Sequence, residues 1–266
     1  MKIYIINLER SEKRRQHIIA EAKKHNLEYE LFSAVDGLYV SDSEKKELCD
    51  LDAIANKPDL LSPGMIGCAL SHYKLYRKII EDGVEVALIL EDDVILADGF
   101  SKLLTSIEKR ISGNEIIALH YVSIAPSMLS NYDRTELPDN YSLRYPVDIR
   151  QLNSTAAFLI TRQAAMTLSE AVLPIRAAPD SWGYFYECGG FDSFRCVYPS
   201  PIRISPAQSD IHSFKNARGR IVRSIENWNI PGLVQMIKYF RTCNILRISQ
   251  AALVDKRSPL AIADKS

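Results

Sequence analysis

The sequence predicts an α/β fold, with a mostly parallel sheet covered by helices on both faces. Three observations carry this. Short apolar runs alternate with stretches of helical periodicity along most of the chain, the order that parallel sheets require. The runs Ile3 to Ile6 and Val84 to Leu90 are nearly continuous rather than alternating, as in strands buried on both faces. Turn-forming pairs such as Asp36-Gly37 and Asp82-Gly83 stand at the joints.

The elements follow in order. Ile3 to Ile6 is a first strand, and Ser11 to His25 a helix with Ser11 as N-cap. Tyr29 to Ser33 is a second strand, which completes a β-α-β opening. Ser62-Pro63-Gly64 introduces a helix in which Ile66, Leu70, Tyr73, Leu75, Tyr76 and Ile79 recur at helical intervals. Val84 to Leu90 is a strand broken only by Glu85, and Glu91-Asp92-Asp93 stands at its carboxyl end. Phe100 to Arg110 reads as helix, Ile116 to Val122 as a central strand, and Asn131 to Asn140 as a loop. Thr155 to Ile160 is a strand leading into a helix over Arg162 to Ala171. Pro, Gly and aromatic residues dominate from Pro174 to Ser209, as in an active-site wall, with short strands at Arg195 to Tyr198 and Ile202 to Ile204. Gly232 to Ile248 is an amphipathic helix candidate.

Composition limits the function classes. With 266 residues, 47% hydrophobic and 25% charged, the chain suits one large soluble domain with an appendage. Residues 1–213 are read as the catalytic domain and 214–266 as a basic helical segment. Lys+Arg and Asp+Glu balance at 33 each, yet from Ile211 onward ten basic residues face three acids, a local charge of +7. Such a tail attracts an anionic partner, and a bilayer surface or phosphorylated acceptor fits. No recognised motif supports nucleic-acid binding. Five cysteines, odd in number and without CxxC spacing, fit reduced cytosolic thiols better than zinc or a disulfide framework. The opening reads as a strand rather than a signal peptide, and no apolar run reaches membrane-spanning length. A cytoplasmic protein, peripheral on a membrane's inner face, is expected.

The acidic triplet is the main chemical signal. Adjacent carboxylates at the end of an apolar strand repel one another, and a hard divalent cation relieves this, with substrate phosphates completing its shell. In an extended segment Glu91 and Asp93 share one side and Asp92 takes the other. Asp93 is the first choice for a direct ligand, with Glu91 binding through water or contacting a ribose. A solvated acidic turn is the competing reading, balanced by the strand-end position where α/β sheets bind ligands.

Several segments resemble glycosyltransferase family 25, which includes bacterial lipooligosaccharide galactosyltransferases and is related to collagen galactosyltransferases. They are Tyr4-Ile5-Ile6-Asn7-Leu8-Glu9-Arg10-Ser11 with Arg14 and Arg15, Ala34-Val35-Asp36-Gly37, Gly64-Met65-Ile66-Gly67-Cys68-Ala69-Leu70-Ser71-His72, and Ile89-Leu90-Glu91-Asp92-Asp93-Val94. Looser matches are Thr155-Ala156-Ala157-Phe158-Leu159-Ile160 and Gln208-Ser209-Asp210-Ile211. The segment from Asp180 to Tyr198 departs from the family pattern. The resemblance implies a GT-A-like, Rossmann-type fold, a UDP-galactose or UDP-glucose donor, inverting transfer and a bacterial surface glycan as acceptor.

In that light Asn7, Leu8 and Arg10, just after the first strand, are candidates to dock the base or ribose. Arg10 and Arg14 serve the donor or a solvated helix face, and Arg15 reads as solvated. Ala34, Asp36 and Gly37 follow the second strand and suit uracil or ribose, Gly37 being equally a turn residue. Ser71 and His72 face the donor in the family context, although a helical histidine is often structural. Gly64 and Gly67 allow backbone to approach a ligand closely. Glu91, Asp92 and Thr155 complete the donor-binding set. Asp210 and His212 are candidates for a second metal ligand, and a histidine favours Mn²⁺ over Mg²⁺. Inversion needs a general base. Asp180 is first choice, with Glu187 and Asp192 next. Trp182, Tyr184 and Tyr186 either stack on sugar rings or pack ordinarily. Two alternatives remain: a metal-dependent phosphoryl-transfer or hydrolytic enzyme, and a non-catalytic nucleotide-sugar-binding protein of the same fold.

Overall fold

The computed structural model describes residues 1–56, 62–123 and 128–205, and the backbone of 247–249. The chain opens with β1 (Lys2–Asn7), α1 (Glu12–Lys24) and β2 (Glu30–Ser33). Two short helices follow, α2 (Asp42–Leu48) and α3 (Leu51–Asn56), and then the long α4 (Pro63–Glu81). Next come β3 (Val86–Glu91), β4 (Val94–Leu96), α5 (Phe100–Glu108) and β5 (Glu115–Ala118). Short strands occupy the middle: β6 (Val122–Ser123), β7 (Met128–Ser130), β8 (Thr135–Glu136), β9 (Ser142–Arg144) and β10 (Leu152–Asn153). Then come β11 (Ala157–Thr161), α6 (Arg162–Val172), α7 (Trp182–Glu187), β12 (Ser193–Tyr198), β13 (Ile202–Ile204) and β14 (Arg247–Ser249).

Eight strands form one sheet in the order β2-β1-β3-β11-β5-β12-β9-β8. The neighbours β2/β1, β1/β3 and β5/β12 are parallel, while β11 and β9 run against their neighbours. The sheet is therefore mostly parallel, with two reversals. The first has a topological cause. A parallel neighbour to β5 would need a crossover, usually helical. The described residues between β5 and β11 contain only short strands and a 3₁₀ turn at Ile149–Gln151. The chain therefore returns beside β5 in the opposite sense.

Alternate residues of the central strands feed two cores. Tyr4, Ile6, Ile89, Ile116 and Phe158 pack with α4, α6 and α7, whereas Ile3, Ile5, Leu88, Ile117 and Leu159 pack with α1 and α5. Helices thus cover both faces, as the continuous apolar runs required.

Several expectations need correction. The strand read over Ile116 to Val122 ends at Ala118, and the amides of Leu119 and His120 both donate to the Ala157 carbonyl. Within Asn131 to Asn140, read as loop, Thr135–Glu136 pairs with β9 at the sheet edge. The segment after Pro174 contains α7, and Trp182 is core: it is 1% exposed and packs edge-on against Phe158 at 5.4 Å. Stacking on a sugar is thereby ruled out for Trp182. The end of the helix read over Gly232 to Ile248 falls in β14, which pairs with β7; its other residues lie outside the described ones. Helix α2 was missed although Ser41 and Glu44 form a capping box, a readable signal.

Gly37 and Gly67 have a specific role. A Cβ on Gly67 would stand 2.5 Å from the Gly37 nitrogen and 2.7 Å from the Val35 carbonyl oxygen, and one on Gly37 would strike the Pro63 carbonyl. The close approach expected between Gly67 and a ligand is instead between two protein segments, which seats the loop after β2 on the first turns of α4. Gly67→Ala is expected to destabilise the protein by about 1–3 kcal/mol through overpacking. Urea unfolding would measure this, and an unchanged midpoint would contradict it.

Candidate functional site

Strands β1, β2 and β3 end side by side. The residues leaving them line a cavity of about 710 Å³, closed on the other side by Ser62, Pro63, Gly64, Cys68, Ser71 and His72 at the start of α4. This is the carboxyl edge where open α/β sheets bind ligands. Leu8, Arg10, Arg14, Ala34, Asp36, Gly37, Glu91 and Asp92 also line it. Most of the expected donor-binding residues are therefore brought to one cavity.

The triplet does not alternate as an extended segment would. Strand β3 ends at Glu91, and Asp92 and Asp93 form a turn. As a result one guanidinium reaches both: Arg14 Nη2 lies 2.5 Å from Asp92 Oδ1 and 2.9 Å from Asp93 Oδ2. Asn7, buried beneath the cavity, donates from Nδ2 to Asp92 Oδ2 at 2.6 Å. Arg15, expected on a solvated face, donates from Nε to Asn7 Oδ1 at 3.0 Å and so fixes that amide. Arg10 pairs with Asp36.

Glu91 turns the other way. Thr155 Oγ1 donates to Glu91 Oε1 at 2.7 Å, and His72 Nε2 stands 3.7 Å from the same oxygen. Ser71 is structural in this arrangement: its Oγ accepts from the Val35 amide at 2.8 Å and donates to the Gly67 carbonyl at 2.7 Å.

The electrostatics differ across the triplet. Burial works to raise the Glu91 carboxyl, but His72, Thr155 and Arg14 outweigh it and hold Glu91 below its ordinary value. Burial also raises Asp92, against the opposing pull of Arg14 and Asn7. Asp93 is pushed up to about 6, first by burial and then by the Glu91 charge. Its Oδ1 is buried with no hydrogen-bond partner. An orphaned carboxylate oxygen beside two further acids fits an oxygen-preferring divalent cation. Asp93 would hold it, with Asp92 adjacent.

Asp180 belongs to this neighbourhood. Its Oδ2 accepts from the Ser154 amide at 3.1 Å, and burial together with the Glu91 charge raises its carboxyl despite that bond. Two residues here were not singled out from the sequence. Ser154 sits at φ +105, in a region L side chains seldom adopt. His120 Nδ1 meets Ser154 Oγ at 2.8 Å, and burial lowers the His120 pKa. His120 stands just past an apolar strand, the same signal that marked the triplet.

The remaining candidates lie elsewhere. The Asp192 amide donates to the Asn114 carbonyl, at the amino ends of β12 and β5. That is the sheet edge opposite the cavity, beyond reach of an acceptor bound there. Glu187 is exposed at the last turn of α7, where its charge acts on Arg150. Tyr184 and Tyr186 pack against Phe185 and Phe191. Asp210 and His212 lie outside the described residues. Among the described residues no helix is long and apolar enough to cross a membrane.

Comparisons with known proteins place the chain among glycosyltransferases. A family model described as glycosyltransferase family 25 (LPS biosynthesis protein) matches residues 1–182. A putative glycosyltransferase of Haemophilus influenzae is 30% identical over 200 residues, which cover 74% of this chain and 67% of that protein. Human procollagen galactosyltransferase 2 is 32% identical over 116 residues, 41% of this chain and 18% of that one. The lacto-N-neotetraose biosynthesis glycosyltransferase LgtE of Neisseria meningitidis is 26% identical over 179 residues, 65% of this chain and 62% of that one. The matched segment thus spans about two thirds of the bacterial relatives and less than a fifth of the human one.

The raised Asp93 carboxyl carries a stability consequence. Its folded value of about 6 exceeds the ordinary 3.8, so the ionised form is disfavoured in the folded state. The penalty is fully present above pH 6 and fades as pH falls toward 3.8. Asp93→Asn removes it. Metal-free Asp93→Asn is expected to melt a few degrees above the native protein at pH 8, with the gap narrowing by pH 5. A lower melting temperature at pH 8 would contradict the electrostatic reading.

Proposed function

The chain belongs to glycosyltransferase family 25, and we propose that it moves a hexose, galactose first and glucose next, from a UDP-sugar to a lipooligosaccharide or similar bacterial surface glycan with inversion. One observation carries the reading. The cavity at the carboxyl edge of the sheet is bounded by an acidic turn whose Asp93 Oδ1 is buried and unpartnered. A diphosphate and a shared divalent cation, Mn²⁺ before Mg²⁺, answer that arrangement. The cation would offset the charge that develops on the departing diphosphate.

The chain's own groups divide the remaining work. Asn7 and Arg14 hold Asp92, and Arg14 also spans to Asp93, so the turn is oriented before any ligand arrives. The rim formed by Leu8, Arg10, Ala34, Asp36 and Gly37 suits a base and ribose. Asp180, oriented by the Ser154 amide, would accept the proton of the acceptor hydroxyl as that oxygen attacks the anomeric carbon and the bond to the diphosphate breaks. Its raised pKa strengthens it as a base.

Galactose is put first because three of the relatives are named procollagen galactosyltransferases. The family description and the name of the Neisseria relative support the bacterial acceptor. The +7 segment from Ile211 would draw the enzyme to the anionic inner face of the membrane, where lipid-linked acceptors lie.

A panel of UDP-sugars with Mn²⁺, read by UDP release and thermal shift, tests the proposal. UDP-galactose should give the strongest response, and failure to bind any UDP-sugar would overturn it. Asp93→Ala is expected to lower turnover at least about a hundredfold while the fold persists. Asp180→Asn should keep donor affinity and lose roughly 10²–10⁴ in kcat. Near-normal kcat would move the base to another group, with His120 the first to examine.

A further inference from the structure

Cys68 and His72 are four residues apart on α4, so their side chains rise from one face of that helix. Both line the cavity, as does Glu91 at the end of β3. One ligand-type atom from each of the three, a sulfur, an imidazole nitrogen and a carboxylate oxygen, lies within 4.8 Å of the other two. His72 is 1% exposed, yet neither of its ring nitrogens has a hydrogen-bond partner. Buried polar atoms are almost always satisfied, so a doubly unpartnered imidazole needs an explanation. Its Nε2 points toward Glu91 Oε1 at 3.7 Å, too long for a hydrogen bond and close to the separation of two ligands on one metal ion.

We propose that Cys68, His72 and Glu91 form a binding site for a thiophilic divalent cation of the zinc class, separate from the oxygen-ligand position at Asp93. The ligand set decides the class. Thiolate and imidazole select Zn²⁺ over Mn²⁺ or Mg²⁺, which prefer carboxylates, phosphates and water. Tetrahedral zinc holds such atoms about 3.3–3.8 Å apart, so roughly an ångström of side-chain adjustment completes the site. Thr155 Oγ1, donating to Glu91 Oε1 at 2.7 Å, orients the carboxylate as an outer partner. Binding releases the Cys68 thiol proton to solvent. Three protein ligands leave a fourth position, and since all three line the cavity it opens there, to a water or a phosphate oxygen. This site stands independently of the nucleotide-sugar reading.

Co²⁺ serves as a visible probe of zinc sites, and titration of the full chain needs no sugar substrate. The expected result is one equivalent of Co²⁺ bound with a sulfur-to-metal charge-transfer band in the near ultraviolet, displaced by Zn²⁺. The band should vanish in Cys68→Ser and persist in Cys188→Ser, which alters an exposed thiol. His72→Asn should weaken Co²⁺ binding at least about tenfold. Absence of the band in the native protein, or its survival in Cys68→Ser, would overturn the site. Should Cys68→Ser fail to fold, alkylation mapping of the native chain replaces it: Zn²⁺ should protect Cys68, and equal labelling with and without Zn²⁺ would overturn the proposal. Loss of UDP-sugar binding with the Co²⁺ band intact would sink the transferase reading alone.

Discussion

Three adjacent carboxylates at the end of a buried strand are the constraint around which this site is organised. Their mutual repulsion grows as burial removes water, and a fold that holds them must compensate. It does so unequally. Arg14 bridges Asp92 and Asp93, Asn7 donates to Asp92, and Arg15 fixes Asn7. Glu91 turns away to Thr155 and His72. The triplet is thus split between two walls, and compensation is least complete at Asp93, which keeps one oxygen unpartnered and a carboxyl raised to about 6. One guanidinium beside three acids leaves the turn net negative, and that residual charge is what the proposed cation would offset.

The rest of the fold supplies positions for these compensating groups. Parallel pairing of β1 with β3 sets Ile6 opposite Glu91, so Asn7 and the first turn of α1 arrive beside the acidic turn. The contact between Gly37 and Gly67 presses the loop after β2 onto α4, which aligns Cys68, Ser71 and His72 along the far wall. The reversed strand β11 matters most for the second wall. Because it runs against β3, its amino end lies beside the carboxyl end of β3, with Ala157 opposite Leu90. Thr155 and Ser154 are therefore delivered to Glu91, and Ser154 in turn holds Asp180 and His120. A parallel strand in the same place would carry those residues to the opposite edge of the sheet.

The legibility of all this in the sequence follows the range of each interaction. Local signals were readable. The apolar run of β3 and the periodicity of α4 correspond to the observed elements within one or two residues. The strand-end rule led to Leu8, Arg10, Ala34, Asp36, Gly37, Glu91 and Asp92 in the cavity wall, whereas Ser71 and His72 were reached only through the family resemblance. Signals that depend on chain direction were not readable. An apolar strand has the same composition in either sense, so β11 gave no sign of its reversal, and Ser154 escaped notice with it; His120 escaped for a different reason, because a strand read on to Val122 placed it inside β5 rather than at its end. Asp192 was misplaced for the same reason that hid Ser154. An acid beside an apolar strand is equally plausible at either end until the strand's direction is known, and Asp192 stands just before β12 at the edge away from the cavity. Arg15 was misread because helical periodicity gives a residue's angle around α1 but not the reach of a long side chain back to Asn7. The alternation expected across Glu91, Asp92 and Asp93 failed because period-two geometry holds only while a strand continues, and the repulsion that makes this triplet worth noticing also favours a turn that spreads the carboxylates toward different partners.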